Sequence, residues 1–205
     1  MKYPKLRELV EAVRAVVKGP YTSSFPGEPH VPVGAFRGQP KFDPEYCVGC
    51  LACEAVCPAA AIDHDDRLYS PGGPRRVMIH HTDTCIFCGE CEAACINDRR
   101  GIRLSQEWEL SFFDRKESSE SIEKELQLCE LCGEVVACKD HLLWIAHRLG
   151  SMSFSSPTLY LSQLRCLGAA DDNLASPYRE DARSDRFKVL CAPCRQRTAL
   201  AEGQA

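Results

Sequence analysis

Apolar residues recur at helical spacing near the start of the chain, at positions 6, 9, 10, 13, 16 and 17, with charged residues between them. Pro4 suits a first helical turn and Gly19-Pro20 ends one, so the pattern predicts an amphipathic helix over residues 4–18. The mixed charges are only weakly basic, which argues against a helix that lies on a membrane surface. Docking on a partner protein fits the pattern at least as well as packing on the helix's own domain.

Short segments follow further along the chain. Residues 20–44 are rich in Pro and Gly, which predicts an extended arm. Apolar residues at 60–62 and 101–104 predict two strands, and residues 67–80 predict a hairpin around a turn that contains two glycines. His80 and His81 end this hairpin, where we expect exposed side chains that bind no metal.

The composition changes after Leu110. Residues 114–125 are charged and contain several serines, which predicts a connector that leads into a short helix ending near Leu128. Residues 138–149 carry a second helical pattern, which Gly150 ends. Residues 151–156 and 170–185 are polar and predict loops.

Cysteine accounts for 14 of the 205 residues. No secretory signal is visible before Pro4, and no segment approaches the roughly 20 apolar residues of a membrane-spanning helix. We therefore expect metal ligation in a reducing compartment rather than disulfides. The net charge of −4 gives no basic footprint for nucleic acid. The sequence shows no Gly-rich phosphate loop and no nucleophile motif, so it predicts no catalytic site.

Eight cysteines form two runs with the same spacing, C-x2-C-x2-C-x3-C, at an offset of 38 residues. Bacterial ferredoxins that bind two [4Fe–4S] clusters have this pattern, and the fourth cysteine of each run ligates the other cluster. Zinc knuckles or a disulfide framework seldom place three cysteines at this spacing twice. We therefore assign one cluster to Cys47, Cys50, Cys53 and Cys95, and the other to Cys85, Cys88, Cys91 and Cys57.

The second run departs from the pattern at its end. Pro58 follows Cys57, but Ile96 follows Cys95, and the segment before the next predicted strand is longer. Proline at this place only sets a turn and removes an N–H group, so cluster binding should survive its loss.

Two further cysteine pairs, Cys129-Glu-Leu-Cys132 and Cys191-Ala-Pro-Cys194, lie in the C-terminal region. Two CxxC pairs are typical of a zinc-ribbon or rubredoxin-like site, which holds one Zn²⁺ or one mononuclear iron. A third [4Fe–4S] cluster is disfavoured, because such clusters usually draw three cysteines from one run. Cys138 with His141 is a rival ligand set for the first pair; otherwise Cys138 and Cys166 are expected to be small buried apolar residues.

Several segments resemble a known family. Phe36-Arg37-Gly38 before the first cysteine run, Asp83 to Gly89, and Arg103 to Leu110 resemble the two-cluster ferredoxin-like subunit of respiratory complex I. The chain is closer still to the matching subunit of membrane-bound group 4 [NiFe] hydrogenases, including formate hydrogenlyase. The resemblance covers residues 20–113 well and the C-terminal region loosely. It favours the distant CxxC pair as one site, because that subunit also has two C-terminal CxxC-type motifs.

The resemblance implies an electron-transfer subunit that relays single electrons through two clusters in a membrane-associated complex. The implied donor is a ferredoxin or a formate- or carbon monoxide-oxidising iron–sulfur subunit, and the implied acceptor is the hydrogenase small subunit. The chain would then lie on the cytoplasmic face as a peripheral subunit. The alternatives are a metal-stabilised adaptor and a free-standing ferredoxin, which would leave the sequence outside residues 47–110 unexplained.

We therefore expect an α+β fold. A bacterial 2[4Fe–4S] ferredoxin-like domain over residues 45–113 would follow an N-terminal helix and arm over residues 1–44. A linker over residues 114–128 would lead to the zinc-ribbon or rubredoxin-like region over residues 129–197, and residues 198–205 would form a tail.

Overall fold

The computed structural model describes residues 5–19, 22, 27–28, 32–170 and 188–202. Three predicted segments lie largely or partly outside the described residues. They are the first part of the arm (residues 20–31), the loop at residues 170–185, and the tail, of which residues 203–205 are not described. The chain divides into two compact units, Met1–Phe36 and Arg37–Ala205.

The first unit contains the predicted amphipathic helix. Helix α1 spans Leu6–Lys18, and Gly19 follows it with φ 76°. Glu8 accepts a hydrogen bond from the backbone N–H of Lys5 and so completes the first turn. Within α1, Arg14 donates to Glu11 over 2.8 Å. None of the residues 6–18 is buried, including the leucines and valines of the apolar face.

The second unit contains two antiparallel sheets. Strands β1 (Pro40–Phe42) and β4 (Ile102–Leu104) form a two-stranded sheet. Strands β2 (Ile62–Arg67), β3 (Arg75–His81), β5 (Ser119–Leu128) and β6 (Val135–Cys138) form a four-stranded sheet in the order β2-β3-β5-β6. The hairpin and the strand predicted near residues 101–104 are thus confirmed, and the first of the predicted short strands continues into β2.

The connector and short helix predicted before Leu128 are wrong, because residues 119–128 form β5. The sequence pattern that indicates this strand is an alternation with a period of two. Ile122, Leu126 and Leu128 lie on one face together with the aliphatic stem of Lys124, while serine and glutamate alternate with them. β5 pairs with the whole length of β3, with Ile122 opposite Met78. The strand therefore joins the C-terminal region to the cysteine-rich region in one sheet.

Short helices α2 (Ala52–Ala55) and α3 (Glu90–Ala93) occupy equivalent places in the 38-residue repeat. Helix α4 (Lys139–Leu149) confirms the helical pattern, and Gly150 follows it with φ 56°. Helices α5 (Pro157–Cys166) and α6 (Ala192–Glu202) were not predicted, and residues 150–155 form a 3-10 helix instead of a loop. The side chains of Leu142, Ala146 and Leu159 form an apolar core between α4 and α5.

Candidate metal centres

The two cysteine runs share one backbone conformation. Gly49 (φ 70°) and Leu51 (φ 66°) are left-handed in the first run, and their equivalents Phe87 (φ 54°) and Gly89 (φ 84°) are left-handed in the second. This conformation is unfavourable for leucine and phenylalanine. It directs successive backbone N–H groups towards one concave surface, which can bind anions such as thiolates. The N–H of Phe87, for example, lies 3.4 Å from Sγ of Cys85.

The first cavity brings together Cys47, Cys50, Cys53 and Cys95, three from the first run and one from the second. Phe42, Met78 and Ile102 supply much of its apolar wall. The amide of Asn97 donates to the carbonyl oxygen of Tyr46 over 2.8 Å, which holds the segment after Cys95 against the segment before Cys47. β4 begins seven residues after Cys95, whereas β2 begins five after Cys57, in line with the longer segment expected there.

The second cavity brings together Cys57, Cys85, Cys88 and Cys91. Pro40 and Ile62 line it as well, and so does His80, whose side chain is fully buried. The expectation that both histidines are exposed is therefore wrong for His80. β3 lies between β2 and β5, and its successive side chains point to opposite faces of the sheet. His80 therefore points inward, while the ring of His81 pairs with the carboxylate of Asp63 at 3.2 Å.

Burial makes these thiols reluctant to ionise alone. It raises the pKa of Cys53 to about 12 and that of Cys91 to about 11, and it also raises the pKa values of Cys47, Cys50 and Cys85. Four thiolates in one apolar cavity require compensating positive charge. The irons of a [4Fe–4S] cluster supply such charge, and cysteine thiolates are their usual ligands. Each cavity therefore fits one cubane in donor type and number.

Arg76 braces the loop of the first cavity. Its Nε and Nη2 atoms donate to the two carboxylate oxygens of Asp66, each over 2.7 Å, and its Nη1 atom donates to the carbonyl oxygen of Gly49 over 3.0 Å. The hydrogen bonds from Arg76 hold the pKa of Asp66 below its usual value. A buried guanidinium thus lies beside the loop that carries Cys47 and Cys50.

A third group of cysteines lies at the other end of the four-stranded sheet. The Sγ atoms of Cys129, Cys132, Cys191 and Cys194 all lie within 4.8 Å of one another, and those of Cys132 and Cys191 are 3.6 Å apart. A tetrahedral site with metal–sulfur distances of ~2.3 Å has sulfur–sulfur edges of about 3.8 Å. The four sulfur atoms therefore lie close to the positions that one tetrahedral ion needs.

Local hydrogen bonds shape both halves of this four-cysteine group. The N–H of Cys129 donates to the carbonyl oxygen of Glu134 over 2.8 Å, and Gly133 makes the turn with φ 77°. The N–H of Glu130 donates to the carbonyl oxygen of Val189 over 3.0 Å, which ties the two CxxC segments together. Cys191 directly precedes α6, and Cys194 lies in its first turn.

Electrostatics favour one thiolate in the four-cysteine group. Burial alone would raise the pKa of Cys129, but backbone N–H groups of Cys191, Cys132 and Leu131 outweigh it and lower that pKa to about 6. Metal binding requires the thiolate form. The local backbone therefore prepares this side chain for ligation.

The remaining cysteines lie elsewhere. Cys138 is fully buried, as expected, and donates to the carbonyl oxygen of Gly49. Cys166 is exposed, so the expectation that it is buried is wrong; it is the last residue of α5. His141 lies beside the ring of Trp144, with the ring centroids 6.4 Å apart. Among the described residues, neither Cys138 nor His141 belongs to the group that contains Cys129 and Cys132.

The family comparisons agree with this geometry. Residues 46–99 match the family model described as a 4Fe-4S dicluster domain. Formate hydrogenlyase subunit 6 of Escherichia coli (strain K12) is 33% identical over 131 residues, which cover 63% of this chain and 70% of that protein. NADH-quinone oxidoreductase subunit I 2 of Geobacter metallireducens (strain ATCC 53774 / DSM 7210 / GS-15) is 29% identical over 127 residues, which cover 57% of this chain and 92% of that protein.

Among solved structures, a chain of the membrane-bound sulfane sulfur reductase, an archaeal respiratory membrane complex, aligns with 58% of this chain and 61% of its own length, with 24% identity and a TM-score of 0.39. Within the described part of the chain, every helix is too short or too polar to cross a membrane. On the strength of the sequence comparisons, this chain belongs to the family of formate hydrogenlyase subunit 6 and NADH-quinone oxidoreductase subunit I, and it contains that family's 4Fe-4S dicluster domain.

Proposed function

We propose that the chain relays single electrons between partner subunits through two [4Fe–4S] clusters, within a membrane-associated assembly of the hydrogenase type. One observation carries this proposal: each of the two cavities is lined by four cysteines, three from one run and the fourth from the other. This crossed arrangement is the one that two-cluster ferredoxins use. Cys47, Cys50, Cys53 and Cys95 would hold one cluster, and Cys57, Cys85, Cys88 and Cys91 the other.

The two clusters would lie next to each other. Cys53 and Cys91 line different cavities, yet negative charge on Cys91 contributes to the raised pKa of Cys53. When bound, each [4Fe–4S] cluster accepts and releases one electron at a time. The cysteines fix the clusters in place, and the apolar walls around Met78 and Ile62 exclude water from them.

The C-terminal site would serve structure rather than electron transfer. Cys129, Cys132, Cys191 and Cys194 would hold one Zn²⁺ as a closed tetrahedral site, and zinc has no redox chemistry. Mononuclear iron accepts the same four sulfurs, and metal analysis separates the two. A bound ion would tie the end of β5 to the start of α6, two segments about 60 residues apart.

The assembly is inferred from the relatives. Formate hydrogenlyase subunit 6 and NADH-quinone oxidoreductase subunit I are subunits of larger enzymes, so a counterpart here would join a multi-subunit complex. The family resemblance implies that this complex lies at the membrane. The donor would be a ferredoxin or a formate- or carbon monoxide-oxidising iron–sulfur subunit. The acceptor would be the small subunit of a [NiFe] hydrogenase, with this chain peripheral on the cytoplasmic face. The N-terminal helix and arm, residues 1–44, would serve assembly.

The test uses the complex purified anaerobically through an affinity tag on this chain. Under H2, both clusters should become reduced, as seen by low-temperature EPR, because a hydrogenase-type partner supplies the electrons. The matched control carries Cys85→Ser and Cys88→Ser. These substitutions should remove the cluster of the second cavity (the second cluster) and leave the cluster of the first cavity (the first cluster). Clusters that dithionite reduces but H2 does not would overturn the hydrogenase-type assembly while leaving the two-cluster subunit intact.

A further inference from the structure

His80 is a buried imidazole whose polar atoms lack partners. Its side chain is 0% exposed on β3, and neither Nδ1 nor Nε2 has a hydrogen-bond partner among the described residues. A buried N–H group without an acceptor destabilises a protein, so native structures rarely leave one unpaired. Its neighbour His81, in contrast, is partly exposed and pairs with Asp63.

The imidazole of His80 has an N–H to donate in either protonation state. The neutral ring carries one N–H donor and one acceptor nitrogen, and the protonated ring carries two donors.

His80 lines the second cavity together with its four cysteines. The other side chains on the wall belong to residues such as Pro40, Ala61 and Ile62, which carry no polar group. Sulfur is therefore the acceptor that the cavity provides to the ring. The first cavity differs in its β3 residue, because Met78 lines it and a methionine side chain has no N–H to donate.

We propose that His80 donates a hydrogen bond to sulfur of the cluster held by Cys57, Cys85, Cys88 and Cys91, and thereby raises the reduction potential of that cluster. The inference rests on the cluster assignment proposed above. Reduction adds negative charge to the cluster, and a hydrogen bond to its sulfur stabilises the reduced form more than the oxidised form. His80 thus acts as a positioning and tuning residue that makes the two clusters unequal.

The first experiment is an EPR-monitored redox titration of the full chain. His80→Leu fills the same space without a donor and should lower the potential of the second cluster alone. We expect a threefold to tenfold change in the reduction equilibrium constant, which is about 28 to 59 mV for a one-electron couple. His80→Gln retains an N–H donor and should restore most of the shift. His81→Leu is the matched control, because it removes the adjacent, partly exposed imidazole, and should leave both potentials unchanged.

The second experiment detects the hydrogen bond directly and needs no substitution at His80. Pulsed EPR of the reduced wild-type chain labelled with ¹⁵N-histidine should show coupling of a histidine nitrogen to the second cluster, and the same coupling should persist in the His81→Leu chain. Two cluster signals with no histidine coupling and no shift in His80→Leu would overturn the role of His80. Absence of two cluster signals from the wild-type chain would instead overturn the cluster assignment itself. If His80→Leu fails to assemble the second cluster, the wild-type coupling decides alone.

Discussion

The thiol of Cys138 donates a hydrogen bond to the carbonyl oxygen of Gly49, with Sγ and oxygen 3.5 Å apart, although the two residues are 89 positions apart in sequence. Cys138 ends β6 and is fully buried, whereas Gly49 belongs to the loop of the first cysteine run. A Cβ atom on Gly49 would lie 2.6 Å from this sulfur. The C-terminal region therefore packs directly on the loop that shapes the first cavity.

This contact predicts the effect of Gly49→Ala. The left-handed φ of 70° alone costs alanine about 1–2 kcal/mol, and the clash with Cys138 adds to it. The first cluster should therefore be lost faster than the second on warming, as followed by EPR. Adding Cys138→Ala to the same chain removes the sulfur and should recover part of the loss. Gly34→Ala is the control, since nothing lies within 4 Å of its added Cβ, and should change nothing.

The crossed assignment predicts which cluster each fourth cysteine serves. Cys57→Ser should alter the cluster held by Cys85, Cys88 and Cys91, although Cys57 belongs to the first run. Cys95→Ser should alter the cluster of Cys47, Cys50 and Cys53. Low-temperature EPR of the reduced variants distinguishes the two signals. An altered first cluster in Cys57→Ser would show that each run binds its own cluster.

Substituting Arg76 should destabilise the loop that carries Cys47 and Cys50 at the first cavity. Arg76→Gln leaves the carboxylate of Asp66 without its donors and removes one of the two donors to the carbonyl oxygen of Gly49, and it should cost about 2 kcal/mol because the ion pair is largely buried. The half-life of the first cluster on heating should shorten. Arg67→Gln breaks an exposed ion pair with Asp65 within β2 and should have almost no effect. Equal half-lives in the two variants would contradict a bracing role for Arg76.

The Arg76–Asp66 ion pair also predicts how the stability of the folded chain depends on pH. The pKa of Asp66 is lowered in the folded chain, so its contribution to stability is fully present above the ordinary aspartate pKa near 4. That contribution is lost as the pH falls through the lower folded value. The difference between wild type and Asp66→Asn in cluster half-life should therefore be constant from pH 6 to pH 8. A difference that changes within this range would assign the effect to another group.

Removing one ligand of the four-cysteine group at residues 129–194 should release the metal of that group without affecting the clusters. Cys132→Ser should lose one zinc per chain, retain about eight irons, and become more sensitive to proteolysis between residues 129 and 194. Cys166→Ser is the matched control, because Cys166 is exposed and outside the group, and should keep its zinc. A wild-type chain with about nine irons and no zinc would identify a rubredoxin-like centre. About twelve irons would place a third cluster in this region.

The N-terminal helix should serve assembly and not cluster binding. Deleting residues 1–35 should leave the visible absorption of the clusters intact and release the chain from its complex. Leu9→Glu with Val13→Glu, on the apolar face of α1, should do the same. Glu11→Gln with Arg14→Gln removes the ion pair on the polar face and should leave assembly unchanged. Undiminished co-purification of the apolar-face variant would contradict docking through this helix.

Spacing and periodicity predicted the helices α1 and α4, the hairpin of β2 and β3, and the cysteine groups, because each depends on neighbours in sequence. β5 was missed, since its many charges hid a period of two whose inward positions include the stem of Lys124. The burial of His80 was missed because it depends on pairing with both Ile62 and Glu120 on neighbouring strands. The contact between Cys138 and Gly49 depends on tertiary packing, which no local pattern encodes.

The most direct measurement of the central claim is iron, acid-labile sulfide and EPR spin quantification on one anaerobic preparation of the full chain. Two [4Fe–4S] clusters predict about eight irons and eight sulfides per chain, with two magnetically interacting signals after reduction because the cavities are neighbours. About four irons with one isolated signal would contradict the account, since a single cluster provides no path between two partners.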